Sequence, residues 1–267
     1  MDEDHNELTI PMWRWFFTKK GLPALVGIMT LVASVTFNIV QFRHDRAPQI
    51  LDFEAVGSFR SGALMDAIIQ QCKEGIDAPT VPPLQIVADM AGYGTFSHPD
   101  KAQDYLDVLR KRANRGKNNV SCIFLDEQRR RDAFVLQLQE FDADIKTKPF
   151  QEKLEKFMAS GYGRRALREL NLEHKALKPE TVTKQEFVEI AIKEDNLIIK
   201  DLLDWGIRVK YYPHLLTVHA WSGIRNQVLT AIVDFEGATD EAGFLTRGHI
   251  AQNIQKIFEI MESGSKP

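Results

Sequence analysis

Residues 21–40 read GLPALVGIMTLVASVTFNIV, without a single Asp, Glu, Lys or Arg, and Asn38 is the one strongly polar side chain. As a helix rising ~1.5 Å per residue, such a segment covers about 30 Å, the thickness of a bilayer's hydrocarbon core. Pro23 falls in the first turn, where a missing N–H costs little. Trp13, Trp15, Phe16 and Phe17 precede the segment as an interfacial aromatic belt does, and Lys19, Lys20, Arg43 and Arg46 bracket it. A cleaved signal peptide is the alternative, but the apolar run is long for one and no small-x-small site closes it. The expectation is a single-pass membrane protein with the bilayer as partner through residues 21–40. Its parts would be a tail over 1–20, a transmembrane helix over 21–40, a linker over 41–49 and one domain over 50–267. The basic residues before the helix (Arg14, Lys19, Lys20) nearly balance those after it (Arg43, Arg46, Arg60). The reading tips toward an inside N-terminus and a domain outside the cytoplasm.

What remains after residue 49 suits one large domain or two small ones. An apolar content of 44%, a charged content of 27% and a formal net charge of -3 fit a folded domain and argue against a dedicated nucleic-acid binder. Cys72 and Cys122 sit in a predicted helix and a predicted strand, and read as small buried side chains. No Cys/His cluster has zinc spacing, so neither a metal nor a cofactor is expected.

The first half of the domain reads β-α-β-α. A helix over 61–72 is followed by a Pro- and Gly-rich loop over 75–83, and then by a short strand, LQIVADM, over 84–90. Ser97-His98-Pro99-Asp100 has the form of a capping box opening a helix over 99–113. VSCIFL over 120–125 is a buried strand, and 127–141 a helix. This order implies a parallel sheet with right-handed crossovers. Residues 142–205 read as mostly helical, with a capping box at Thr183 and Glu186 opening a long helix that Gly206 ends. Strand-like runs over 207–212, 215–221 and 227–235 follow, then a helix over 248–261.

The last third carries the motif with chemical content. His219-Ala220-Trp221-Ser222-Gly223-Ile224-Arg225-Asn226 precedes the apolar strand VLTAIVDF. The segment resembles the signature of the phospholipase D superfamily, an H-x-K followed by Asp. His219 holds the His position, Trp221 stands where Lys belongs and Asn226 where Asp belongs. Asp234-Phe235 replaces a Gly-Ser pair, and Glu241 matches the Glu of the next loop. Strand 84–90, the loop with Tyr93 and Phe96, helix 99–113 and strand 120–125 are similar to the family's opening β-α-β. The likeness covers about residues 50–262, with 142–185 as a helical insertion. It implies an α/β fold, a phospholipase-D-like mixed sheet flanked by helices behind one transmembrane helix. It also implies that strand 215–221 lies beside strand 84–90.

In that family one His attacks phosphorus and a second, from a paired motif, protonates the leaving group, while the Lys neutralises charge on the phosphoryl oxygens. Tryptophan brings no charge, and Asn226 cannot steady a cationic imidazole as a carboxylate does. Losing a group that stabilises transition-state charge typically costs at least ~10²-fold in rate. A single motif also means that a complete site needs a homodimer. The expectation is therefore a non-catalytic phospholipase-D-like domain, a pseudoenzyme serving as an interaction or structural subunit of a membrane complex. The rival is an active phosphodiesterase that uses His219, Asn226 and Glu241 in a homodimer. His214, His98 and His249 read as turn or solvated residues, and Asp89, Asp126 and Asp234 as turn or cap residues at strand ends. The basic clusters Arg110-Lys111-Arg112 and Arg129-Arg130-Arg131 read as solvated helix faces.

Overall fold

A computed structural model describes residues 53–116, 119–214, 216, 218–224, 227–232 and 242–265. They build a seven-stranded mixed sheet flanked by helices, in the spatial order β1-β7-β6-β5-β2-β3-β4. The strands are β1 (Phe53–Ser58), β2 (Leu84–Val87), β3 (Val120–Leu125), β4 (Arg208–Tyr212), β5 (Val218–Ile224), β6 (Gln227–Ile232) and β7 (Ala242–Arg247). β2, β3 and β4 run parallel, and β5 joins β2 antiparallel, with Ile86 opposite Trp221 and Val87 opposite Ala220. β6 and β7 continue antiparallel, and β1 closes the edge against β7.

Two faces of apolar side chains on the strands demand two helical layers. On one face, α1 (Ala63–Lys73), α2 (Pro99–Asn114) and the C-terminal half of α7 (Lys184–Asp204) bury Leu64, Ile68, Tyr105, Ile198 and Leu202 against Leu84, Ile86, Phe124 and Trp221. On the other, α3 (Glu127–Gln137) and α8 (Gly248–Gly264) bring Ala133, Ala251 and Phe258 against Val87, Leu125, Ala220 and Val228. The predicted insertion is a layer of its own. Helices α4 (Phe141–Asp144), α5 (Lys148–Ala159) and α6 (Gly161–Glu169) pack Phe141, Leu154, Phe157 and Leu167 around Phe187, at the N-terminal end of α7. The long helix α7 thus spans two cores. Its N-terminus carries the predicted capping box, with Thr183 and Glu186 bonded reciprocally.

Several expectations need correction. Among the described residues no helix is long and apolar enough to cross a membrane. The longest, α7, is interrupted by Lys193, Glu194, Asp195, Lys200 and Asp201, charges that hydrocarbon does not accommodate. The described fold is a mixed α/β domain with a seven-stranded sheet, and no described element supports a single-pass membrane protein or its placement outside the cytoplasm. The predicted span 21–40, with the tail and the linker, lies outside the described residues. The capping box at Ser97 does not form. His98 is the N-cap of α2 and makes no side-chain cap hydrogen bond, and Pro99 supplies the start instead. β1 and β7 occupy segments where no strand was expected, and the strand foreseen over 215–221 runs from 218 to 224.

The two basic clusters are solvated only in part: Arg110, Lys111 and Arg129 are exposed, as read, but Arg112 and Arg130 are not. Arg112 is buried, and its guanidinium donates to the carbonyls of Cys72 and Glu74 at 2.8 Å, and to those of Pro82 and Gly223. It ties α1, the loop before β2 and β5 together through their backbone oxygens. Arg130 is buried in an ion pair with Asp195, and Arg131 is paired with Glu189. Cys72 and Cys122 are buried free thiols, as read. Burial pushes the Cys72 thiol up to about 12 and moves that of Cys122 upward as well.

Candidate functional site

The parallel strands β2 and β3 end side by side, and the chain beyond β2 (Ala88 to Ser97) turns across the C-terminal edge of the sheet, the usual place for a ligand in such folds. Ala88 N–H still donates to Ile123 at 3.1 Å, which fixes the next residue, Asp89, at the sheet edge. β5 enters this edge antiparallel to β2, with Ala220 opposite Val87, which brings the preceding His219 beside Asp89. His219 Nε2 lies 3.2 Å from Asp89 Oδ2. The distance is that of an ion pair, but the alignment is not that of a hydrogen bond, and neither Asp89 oxygen accepts one among the described residues. His219 is 1% exposed and Asp89 4%.

The loop itself is held by α7. Gly92 N–H donates to Asp195 Oδ1 at 2.6 Å, Thr95 Oγ1 donates to Glu194 Oε2 at 3.1 Å, and Arg130 pairs with the other oxygen of Asp195. Position 92 is close-packed: a Cβ there would meet the side chains of Ile198, Glu194 and Thr95 at 3.1–3.3 Å. Gly94 has φ of 81°, a left-handed conformation that a side chain resists, and it sits against Met65 Sδ. The result is a cleft of about 120 Å³ whose lining includes Asp89, Glu194, His219, Tyr93, Thr95 and Gln137, with Phe59, Phe96, Phe134 and Phe157 as aromatic walls. Glu194 is 1% exposed, and its Oε1 accepts no hydrogen bond. Burial, reinforced by the neighbouring Asp195 charge and opposed by the Thr95 hydroxyl, pushes its carboxyl well above the usual carboxylate range.

Trp221 follows His219 on the same face of β5 and is 0% exposed. Its ring meets Tyr93 edge-on at 5.1 Å between centroids, and Tyr93 in turn meets His219 at 5.3 Å. Its indole Nε1 faces the Tyr105 hydroxyl at 3.4 Å. The side chain is a core residue packed behind Tyr93, outside the cleft lining. No Lys or Arg lines the cleft among the described residues.

Of the residues singled out in the sequence, His219 reaches the cleft, while Asn226, Glu241 and Asp234 lie outside the described residues. Asp126 caps α3 through the Arg129 N–H, the role read for it. Asp89, read the same way, instead faces His219. His98 bonds the Phe59 carbonyl oxygen at 2.6 Å, and His214 and His249 are exposed. Sequence reasoning missed Glu194 and named Tyr93 only as part of the loop after strand 84–90. The available signal was the consecutive pair Glu194-Asp195 within an apolar stretch of a long helix, since carboxylates placed on a buried stripe need partners. Among the described residues no group of three or more His, Cys, Asp or Glu side chains has the arrangement to hold a metal ion.

Comparison with protein-family models and with curated proteins finds no match. Among solved structures, TrmBL2, an archaeal chromatin protein whose structure shows a mode of DNA binding, matches with a TM-score of 0.39 and 8% identity. The match covers 95% of this chain and 66% of that one, so this chain spans just under two thirds of its length. Similarity at that level carries no argument about fold or function.

Proposed function

We propose that the domain is a non-catalytic, phospholipase-D-like binding module, with the cleft at His219 retained as a ligand pocket after loss of phosphoryl-transfer chemistry. The carrying observation is Trp221. At the position where the resemblance calls for a lysine, it is fully buried against Tyr93 and Tyr105 and brings no charge to the cleft. A phosphodiester brings negative charge, and its transition state needs cationic or N–H donors aimed at the phosphoryl oxygens. This cleft offers two carboxyl side chains, and no arginine or lysine among its described lining. The side-by-side pairing of β5 with β2 is the neighbour relation the resemblance implies, and it supports the family reading. The burial of His219 under Tyr93 weighs against the homodimeric enzyme, in which two copies must bring their histidines to one phosphorus.

The test is phosphodiesterase activity of the full chain on bis(p-nitrophenyl) phosphate, beside His219→Ala. The expected rate equals the uncatalysed background in both. Turnover by the parent chain that His219→Ala removes would overturn the reading.

A further inference from the structure

The acid side chains of the cleft are arranged for something that donates hydrogen bonds. Asp89 Oδ1 and Oδ2 and Glu194 Oε1 are each buried from solvent and accept no hydrogen bond from a described group. Buried carboxyl oxygens left in that state are costly, and proteins keep them where a partner arrives. These oxygens are carried by side chains lining the same cleft, from the chain just beyond β2 and from α7. The cleft is about 120 Å³, on the order of ten times what one water requires by the same measure. Its aromatic walls, Phe59, Tyr93, Phe96 and Phe157, offer the negative faces that attract organic cations.

From this arrangement we infer that the cleft is a binding site for a small molecule carrying a primary ammonium group, held between Asp89 and Glu194. Three features select that class. The carboxyl pair asks for positive charge rather than phosphate. Asp89 Oδ1 and Glu194 Oε1, with Asp89 Oδ2 shared with His219 at 3.2 Å, ask for N–H donors, which a primary ammonium has and a quaternary ammonium lacks. The aromatic walls suit the alkyl stem next to the charge and exclude water, which strengthens the pairing at the acids. Glu194 adds a consequence. Its carboxyl, pushed upward by burial beside Asp195, ionises when a cation arrives, so binding releases a proton. The inference rests on the reading of the cleft as a binding pocket and names what the pocket takes.

The experiment is titration calorimetry of the full chain with propylammonium, 1-propanol and tetramethylammonium as probes, at fixed ionic strength. Saturable binding is expected for propylammonium, at least tenfold weaker in both Asp89→Asn and Glu194→Gln. 1-Propanol, of like shape without the charge, and tetramethylammonium, charged without N–H, are expected to give no saturable heat. Both substitutions keep side-chain shape, and their circular dichroism spectra serve as the folding control. Equal binding of 1-propanol, preference for tetramethylammonium, absence of propylammonium binding, or binding unchanged in the two variants overturns the inference. None of these outcomes touches the phosphodiesterase test, whose failure is seen separately as turnover dependent on His219.

Discussion

The loop that forms one wall of the cleft hangs on one buried ion pair, and its removal should be felt across the domain. Asp195→Ala deletes the carboxylate that Arg130 pairs with and that Gly92 N–H donates to. Arg130 keeps its 2.8 Å bond to Asn196 but loses its counter-charge while buried. Breaking a buried pair from one side costs about 3–5 kcal/mol, because the remaining charge stays desolvated. For a domain spanning 51–267, where 1 kcal/mol moves the midpoint by about 2–4 °C, the expected fall in Tm is roughly 6–20 °C. The paired replacement Arg130→Met with Asp195→Leu removes both charges together. It should recover most of the loss, leaving at most ~2 kcal/mol for the orphaned Gly92 N–H and imperfect packing. Urea unfolding of the parent, Arg130→Met, Asp195→Leu and the double variant gives the complete cycle. The reasoning is refuted if Asp195→Ala costs under about 1 kcal/mol, or if the double variant is as unstable as the sum of the singles.

Two further outcomes follow from the site. Glu194 has a carboxyl raised in the folded state, so folding binds a proton there between its unfolded value near 4.5 and its higher folded value. The side chain therefore costs nothing below that window and increasingly destabilises as pH rises through it. Glu194→Gln should be more stable than the parent at neutral pH, with the difference vanishing as pH falls toward 4.5, measured by urea midpoints across pH. Trp221→Lys places an ammonium in a fully buried aromatic site. It should lose about 3–5 kcal/mol or more by chemical denaturation without creating phosphodiesterase activity, and turnover in this variant would show that only the charge was missing.

The strands and helices with strong periodicity were legible residue by residue. VSCIFL matches β3 at both ends, and the capping box at Thr183 and Glu186 opens α7 where read. β1 and β7 were not, because FEAVGS and AGFLTR are short, glycine-bearing segments that are strands only by virtue of pairing with each other and with β6. Charge runs misled in the same way. Arg112 and Arg130 look like their exposed neighbours in a one-dimensional pattern, and only the tertiary fold supplies the carbonyls and the carboxylate that draw them inside. For the site, His219 stood out through its motif. The residues that share its cleft, Asp89, Tyr93 and Glu194, come from the chain beyond β2 and from α7, and nothing in local sequence links 89, 93, 194 and 219.

The order of strands also sets a schedule for the newborn chain. β2, β3 and β4 neighbour one another and are complete once synthesis passes residue 212, so a parallel half-sheet with its helices has its parts early. β1 is made first yet has only β7 as neighbour, and Glu54 waits for Arg247, 193 positions later. Until then β1 lacks β7, its strand neighbour among the described residues, and β2 shows a bare edge where β5 will dock. Such long-range closure slows folding and leaves unpaired backbone open to other chains. The C-terminal 24 residues described here, 242–265, are thus the latch of the sheet. A chain stopped before them should carry an orphaned first strand, its amides exchanging freely with solvent and its edge open to aggregation.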